Sequence, residues 1–122
     1  MNYINHKPIY LQIAYDIILK IKSNTIPKAS LLPSVRELSL RYEVTPKTIQ
    51  SVTKYLSEIN VIKIKAGVGS VITNDDDIII KAHMNYAKAL TKEFIESMHQ
   101  ININDNKIQN ILNISLEEEN ND

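Results

Sequence analysis

Two helix-start signals stand eleven residues apart, at Ser34 and Thr45, and the chain between them has room for one short helix and one tight turn. In Pro33-Ser34-Val35-Arg36-Glu37 the Ser34 hydroxyl can cap the Glu37 N–H while the Glu37 side chain reaches back, the reciprocal arrangement of a capping box. Val35, Leu38 and Tyr42 then fall on one face, with Arg36 and Arg41 off it, and the helix stops near Glu43. Thr45 is an N-cap and Pro46 occupies the first helical position, where a missing N–H costs nothing. Ile49, Val52, Leu56 and Ile59 form the buried stripe of this next helix, which Asn60 ends. Two short helices joined this tightly make a helix-turn-helix.

The flanking segments complete a winged version of that motif. Ile9, Ile13, Ile17 and Ile21 recur every fourth residue, widened by Ala14 and Ile18, and predict a helix over Pro8 to Ser23. A loop follows over Asn24 to Ser30, with Pro27 barring further helix. After the second helix of the motif come the β-branched runs Val61 to Lys65 and Ser70 to Thr73, either side of Ala66-Gly67-Val68-Gly69, which holds the chain's two glycines. That pattern predicts a β-hairpin, the wing. The fold expected is mainly α, an α+β winged helix of three helices and a two-stranded wing over residues 1–74, followed by a helical tail over 75–122.

Asp75-Asp76-Asp77 marks the boundary and reads as a solvated linker. His83, Ala87, Leu90, Phe94, Met98 and Ile101 then follow a helical period for about twenty residues. Asn104 can cap a second tail helix, with Ile103 and Ile108 at the positions of a hydrophobic staple. Ile108, Ile111, Leu112 and Ser115 make its apolar side, and the end from Glu117 is expected to fray. Two amphipathic helices cannot cover both stripes with each other. The tail therefore needs the first domain or a second copy of itself, and Leu90, Phe94, Met98, Ile101, Ile108, Ile111 and Leu112 are the candidate dimerisation residues.

Charge separates the two halves. Residues 1–74 carry eight Lys and two Arg against four acidic groups, a net of +6; residues 75–122 carry four Lys against ten acidic groups, a net of −6. A basic half suited to a polyanion thus adjoins an acidic one. No cysteine is present, so disulfides and thiolate metal sites are excluded. The first residues lack the basic and apolar regions of a signal peptide, and Ile78-Ile79-Ile80, the longest purely apolar run, is far too short for a bilayer. A soluble protein of the cytoplasm is expected.

Catalysis finds no support. His83 and His99 are sixteen residues apart on one predicted helix, roughly 24 Å at about 1.5 Å per residue, so they cannot share a metal within one chain. His6 lies in the N-terminal lead. There is no nucleophile triad, phosphate-cradling glycine loop or metal motif, and no cofactor is expected.

Four segments carry a family resemblance: Pro8-Ile9-Tyr10-Leu11-Gln12-Ile13, Leu32-Pro33-Ser34-Val35-Arg36-Glu37-Leu38, Val44-Thr45-Pro46-Lys47-Thr48-Ile49, and Gly67-Val68-Gly69-Ser70-Val71-Ile72. In this order and spacing, over about residues 8–73, they resemble the GntR family. The short tail resembles the YtrA-like subfamily, whose members carry a two-helix dimerisation module in place of a large effector domain. The resemblance implies a homodimeric repressor on a palindromic operator, with Arg36 touching DNA. Many GntR relatives have arginine at the positions of Pro46 and Gln50. Proline there is familiar among the YtrA-like members, and the operator of arginine-bearing relatives does not carry over to this chain.

The first turns of a recognition helix enter the major groove, where each base pair offers a distinct pattern of donors and acceptors. Thr45 starts that helix, and Lys47, Thr48, Gln50, Ser51 and Lys54 lie off its apolar stripe. Gln50 suits a bidentate pair with adenine, and Lys47 suits guanine or phosphate. Ser34 serves as a cap, with a phosphate contact at the same helix start as a second role. In the wing, Lys65 is the phosphate candidate. Gly67 and Gly69 either admit a close backbone approach to DNA or simply supply a turn's positive φ. A winged helix that binds protein instead of DNA is the alternative function, opposed by the outward lysines, which protein-interface cores avoid. A small-molecule effector is open, because the tail is too short to enclose a pocket of about 300 Å³ by itself.

Overall fold

The computed structural model describes residues 1–4 and 6–121. Its elements run α1 (Ile9–Lys22), α2 (Val35–Tyr42), α3 (Pro46–Glu58), β1 (Ile62–Lys65), β2 (Gly69–Ile72), α4 (Asp76–Gln100) and α5 (Asp105–Asn120). They fall into two compact units, Met1–Tyr86 and Ala87–Asp122, with the division inside α4. The first unit is a winged helix, mainly helical with a small antiparallel sheet.

The core of that unit is aliphatic and fully enclosed. Ile13, Ala14, Ile17, Ile18 and Ile21 of α1, Leu38 of α2, and Ile49, Val52 and Leu56 of α3 are all buried, together with Val61, Ile62 and Ile72 of the wing. Burial of each isoleucine, leucine and valine among them contributes about 1.5–3 kcal/mol, which makes this stripe-on-stripe packing the main support of the fold. Ile79 and Ala82 join the same core from the first turns of α4.

Local chemistry sets the helix ends. Pro8 is the N-cap of α1, extended at ψ 128°, and the helix begins one residue later than the sequence pattern places it. Pro8 has no side chain to cap with. Gln12 instead holds the lead segment, accepting from the Ile4 N–H at 2.9 Å and donating to the Ile4 and Lys7 carbonyls. At α2 the Ser34 hydroxyl accepts from the Glu37 N–H at 3.1 Å. The expected return arm of the capping box is replaced: the Glu37 carboxylate turns along the helix to Arg41, 3.6 Å away. Thr45 caps α3 by accepting from the Thr48 N–H, with Pro46 at the first helical position.

The turn of the helix-turn-helix is fixed by two residues. Glu43 ends α2 in the left-handed region at φ 55°. Ser39 then ties the turn from both sides, its hydroxyl donating to the Val44 carbonyl at 2.6 Å and its own carbonyl accepting the Val44 N–H.

The wing pairs Ile62 with Ile72, Lys63 with Val71, Ile64 with Ser70 and Lys65 with Gly69. A Thr73 N–H to Val61 carbonyl bond extends the ladder by one further pair. Residues 30–32, which begin on the last residue of the predicted loop, add a third backbone rung. Leu31 bridges Val71, the Leu32 N–H donates to the Ser70 carbonyl at 2.8 Å, and the Ile72 N–H donates to the Ser30 carbonyl at 2.9 Å.

The acidic run is not a linker. Asp75, the residue before α4, accepts the Asp77 N–H at 2.9 Å, while Asp76 and Asp77 fill the first turn, where the helix dipole favours negative charge. Asp76 also pairs with Lys28. α4 is consequently longer at its start than the stripe from His83 predicts. In the second unit Asn104 caps α5 through the Lys107 N–H at 2.9 Å, and His99 pairs with Asp105 at 2.7 Å. α5 continues to Asn120, past the expected fraying point at Glu117. No helix among the described residues is long and apolar enough to cross a membrane.

Candidate nucleic-acid interface

α3 separates its two faces cleanly. Ile49, Val52 and Leu56 are buried, while Lys47, Gln50, Ser51 and Lys54 are exposed and Thr48 is half-buried. The four exposed side chains sit at i, i+3, i+4 and i+7, one continuous strip along the helix. Within it the Ser51 hydroxyl bonds back to the Lys47 carbonyl. Thr48 is occupied locally, its hydroxyl 3.2 Å from that of Thr45.

The cations at the two helix starts are placed against their own helices. Arg36 is the second residue of α2 and Lys47 the second residue of α3. A helix N-terminus carries partial positive charge and disfavours a cation. Among the described residues neither makes an ion pair that would offset this. An external anion at these helix starts would offset the conflict. Ser34 and Thr45, the two caps, are exposed beside these positions.

In the wing Gly67 and Gly69 both have positive φ, 74° and 122°, so the turn itself requires glycine. A Cβ at Gly67 would meet nothing within 4 Å, and one at Gly69 would be 3.8 Å from the Leu31 side chain. Backbone conformation, not crowding within the chain, selects both residues, and the space over Gly67 stays open. Lys65 is exposed and shares its strand face with Lys63, two residues earlier. Both line an open cleft of about 460 Å³ with Ser57, Asn60, Thr73 and Asn74. Lys63 is a basic residue of the wing that attention to the turn alone passes over; the alternation Ile62-Lys63-Ile64-Lys65 is the signal that finds it.

The tail candidates divide by burial. Ile108 is buried within the single chain, and Met98 and Ile111 are half-buried. Leu90, Phe94, Ile101 and Leu112 remain exposed, with Ile114 and Leu116 beside them in sequence. Among the described residues no group of three or more His, Cys, Asp or Glu side chains is arranged to hold a metal ion.

A winged helix with an exposed basic strip on its recognition helix defines a DNA-binding protein of the winged helix-turn-helix class. Residues 9–72 match the profile of the bacterial regulatory proteins of the gntR family, which spans more than half of the chain. The chain belongs to the GntR family and is a DNA-binding transcriptional regulator. It is 27% identical over 97 residues to the uncharacterized HTH-type transcriptional regulator YhcF of Bacillus subtilis, covering 80% of each chain. Among solved structures it is similar to a GntR family transcriptional regulator from Listeria monocytogenes, with 36% identity, a TM-score of 0.71, and 91% of this chain and 97% of that one covered. YtrA from Sulfolobus acidocaldarius shares the fold at 24% identity and a TM-score of 0.54, with 98% and 97% covered.

Proposed function

We propose that the protein is a repressor of the YtrA-like subfamily that acts in the cytoplasm as a homodimer on an inverted-repeat operator. One observation carries the reading: α3 presents Lys47, Gln50, Ser51 and Lys54 as a single exposed strip, and among the described residues no carboxylate pairs with its lysines. In this reading Lys47 and Lys54 hold phosphates or guanine, Gln50 reads adenine, and Arg36, Ser34, Lys65 and the Gly67 to Gly69 backbone fix the register. Thr45 and Thr48 set the start of the reading helix.

Dimerisation is supported by the tail, where Phe94 is 39% and Leu90 44% exposed on one helix at the i, i+4 spacing that places them side by side. A two-fold dimer places its recognition helices about one turn of DNA apart, roughly 34 Å, which requires an inverted repeat. Fluorescence anisotropy at about 150 mM salt against duplexes tiling the gene's own upstream region tests this. Tight binding to one tile over a scrambled duplex is the expected result. Equal, weak binding to every duplex would reduce the reading to a basic surface, and no binding would favour the protein-interaction alternative.

A further inference from the structure

A second cleft in the first unit lies where the end of α3 meets the start of α4, and has a volume of about 310 Å³. The geometry points to a binding site for a small zwitterion with an aliphatic body, of which a free α-amino acid is the simplest example. Glu58, the last residue of α3, and Lys81 of α4 supply one charge of each sign, and Asn60 and Asn85 add two carboxamides. Ile78, half-buried, and Ala82, buried, give the cleft an apolar floor.

The charges select the ligand class. Glu58 and Lys81 line the same cleft yet do not meet as an ion pair, and neither has another ion-pair partner among the described residues. An anion entering the cleft would face Glu58, and a cation would face Lys81. A neutral ligand would desolvate both charges without replacing their water. A zwitterion places its ammonium against Glu58 and its carboxylate against Lys81, so both are compensated at once. The volume lies at the lower end of the range for ligand sites, about 300–1,000 Å³, which suits a molecule of amino-acid size. Bound there, such a ligand would bridge the recognition helix and the helix that leads into the tail. The site stands independently of the operator reading, because ligand binding to it requires no DNA.

The test is isothermal titration of the full chain, without DNA, against each of the standard amino acids at millimolar concentration. Saturable binding of at least one aliphatic member is expected. Glu58→Gln and Lys81→Gln should each weaken it by about tenfold, the loss of one charge-assisted contact. Both side chains are exposed, so the unliganded variants should melt with the wild type. The N-acetyl derivative of the best ligand should bind weakly and be insensitive to Glu58→Gln, because it has no ammonium for that carboxylate to meet. Absence of binding by every amino acid, or wild-type affinity in either variant, would overturn the assignment.

Discussion

The Tyr42 phenol donates a 2.7 Å hydrogen bond to the Asp16 carboxylate, fastening the last turn of α2 to the middle of α1. Lys20 closes the group, 3.0 Å from the same carboxylate oxygen and with its ammonium 5.1 Å from the centre of the Tyr42 ring. The Tyr3 hydroxyl donates to the Tyr42 carbonyl at 2.5 Å. The orientation of α2 against α1 therefore rests on a polar contact as well as on Leu38.

Tyr42→Phe should lower stability by about 1 kcal/mol, the net worth of such a bond at a partly exposed site. Burial, followed by the bond to Asp16, raises the Tyr42 pKa above its ordinary value of 10, and burial with the Tyr15 hydroxyl pushes Tyr55 up to about 12. Both phenols are held protonated by the fold. Their contribution is complete below about pH 10 and falls as pH rises through the folded values. Urea titrations should show a steep loss of stability above that pH, shallower in Tyr42→Phe. An equal slope in the variant would assign the alkaline loss to other groups.

Glu43 occupies the left-handed region at the end of α2, where a non-glycine residue costs about 1–2 kcal/mol and glycine is the usual occupant. Glu43→Gly relieves that strain but gives the unfolded chain more freedom, worth about 0.4–1 kcal/mol in the opposite direction. A net gain of about 0.5 kcal/mol and a Tm higher by a few degrees is expected. A lower Tm in differential scanning calorimetry would show that the Glu43 side chain stabilises more than its backbone costs.

Arg36→Ala and Lys47→Ala should have a paired signature. Removing a cation from the first turn of a helix should leave stability unchanged or raise it by about 0.3 kcal/mol. DNA affinity should fall by about tenfold for Arg36→Ala, and the slope of log K against log salt should drop by about 1 for Lys47→Ala. Melting curves and salt-dependent anisotropy on the same preparations check both halves. Unchanged affinity in Arg36→Ala would remove that residue from the interface.

Gln50 is exposed in the middle of the α3 strip, and its side-chain amide is suited to adenine. Gln50→Ala should cost about 1–3 kcal/mol against the preferred operator and little against variants changed at the base pair it reads. A randomised-site selection should therefore show relaxed preference at one position in each half-site. An unaltered profile would leave Gln50 a solvated residue.

The elements that sequence reading recovers are those whose causes are local. Ser34 and Thr45 mark their helices because each cap bonds three residues ahead, and the isoleucine stripe of α1 needs only a period. What escapes it depends on distant partners or competing local cues. The rung of residues 30–32 exists only because β2 lies beside it, some forty residues on. The Asp16–Tyr42 bond spans 26 positions. The same is true of the tyrosines, where Tyr55 meets Tyr10 and Tyr15 edge-on and Tyr15 stacks on Tyr86 at 4.1 Å. Asp75-Asp76-Asp77 has the composition of a linker and the position of a helix start, and Ile79 and Ala82, buried one turn later, decide for the helix. The exposed strip of α3 is legible because burial there follows the period of the stripe opposite.

Phe94→Asp tests how the tail is covered. Leu90, Phe94, Ile101 and Leu112 are exposed in the single chain, and an apolar face of this kind is costly in water unless a partner removes it. A second copy meeting this face would bury Phe94, and a carboxylate in its place would be left uncompensated in an apolar contact. The expected outcome is a monomer by light scattering with unchanged helical circular dichroism. Operator affinity should fall with it, since two half-sites would no longer be engaged through one linked pair of reading heads. A variant that stays dimeric would place the interface on another face of the chain. A monomer that binds the operator as tightly as before would show that one winged helix supplies the whole of the affinity.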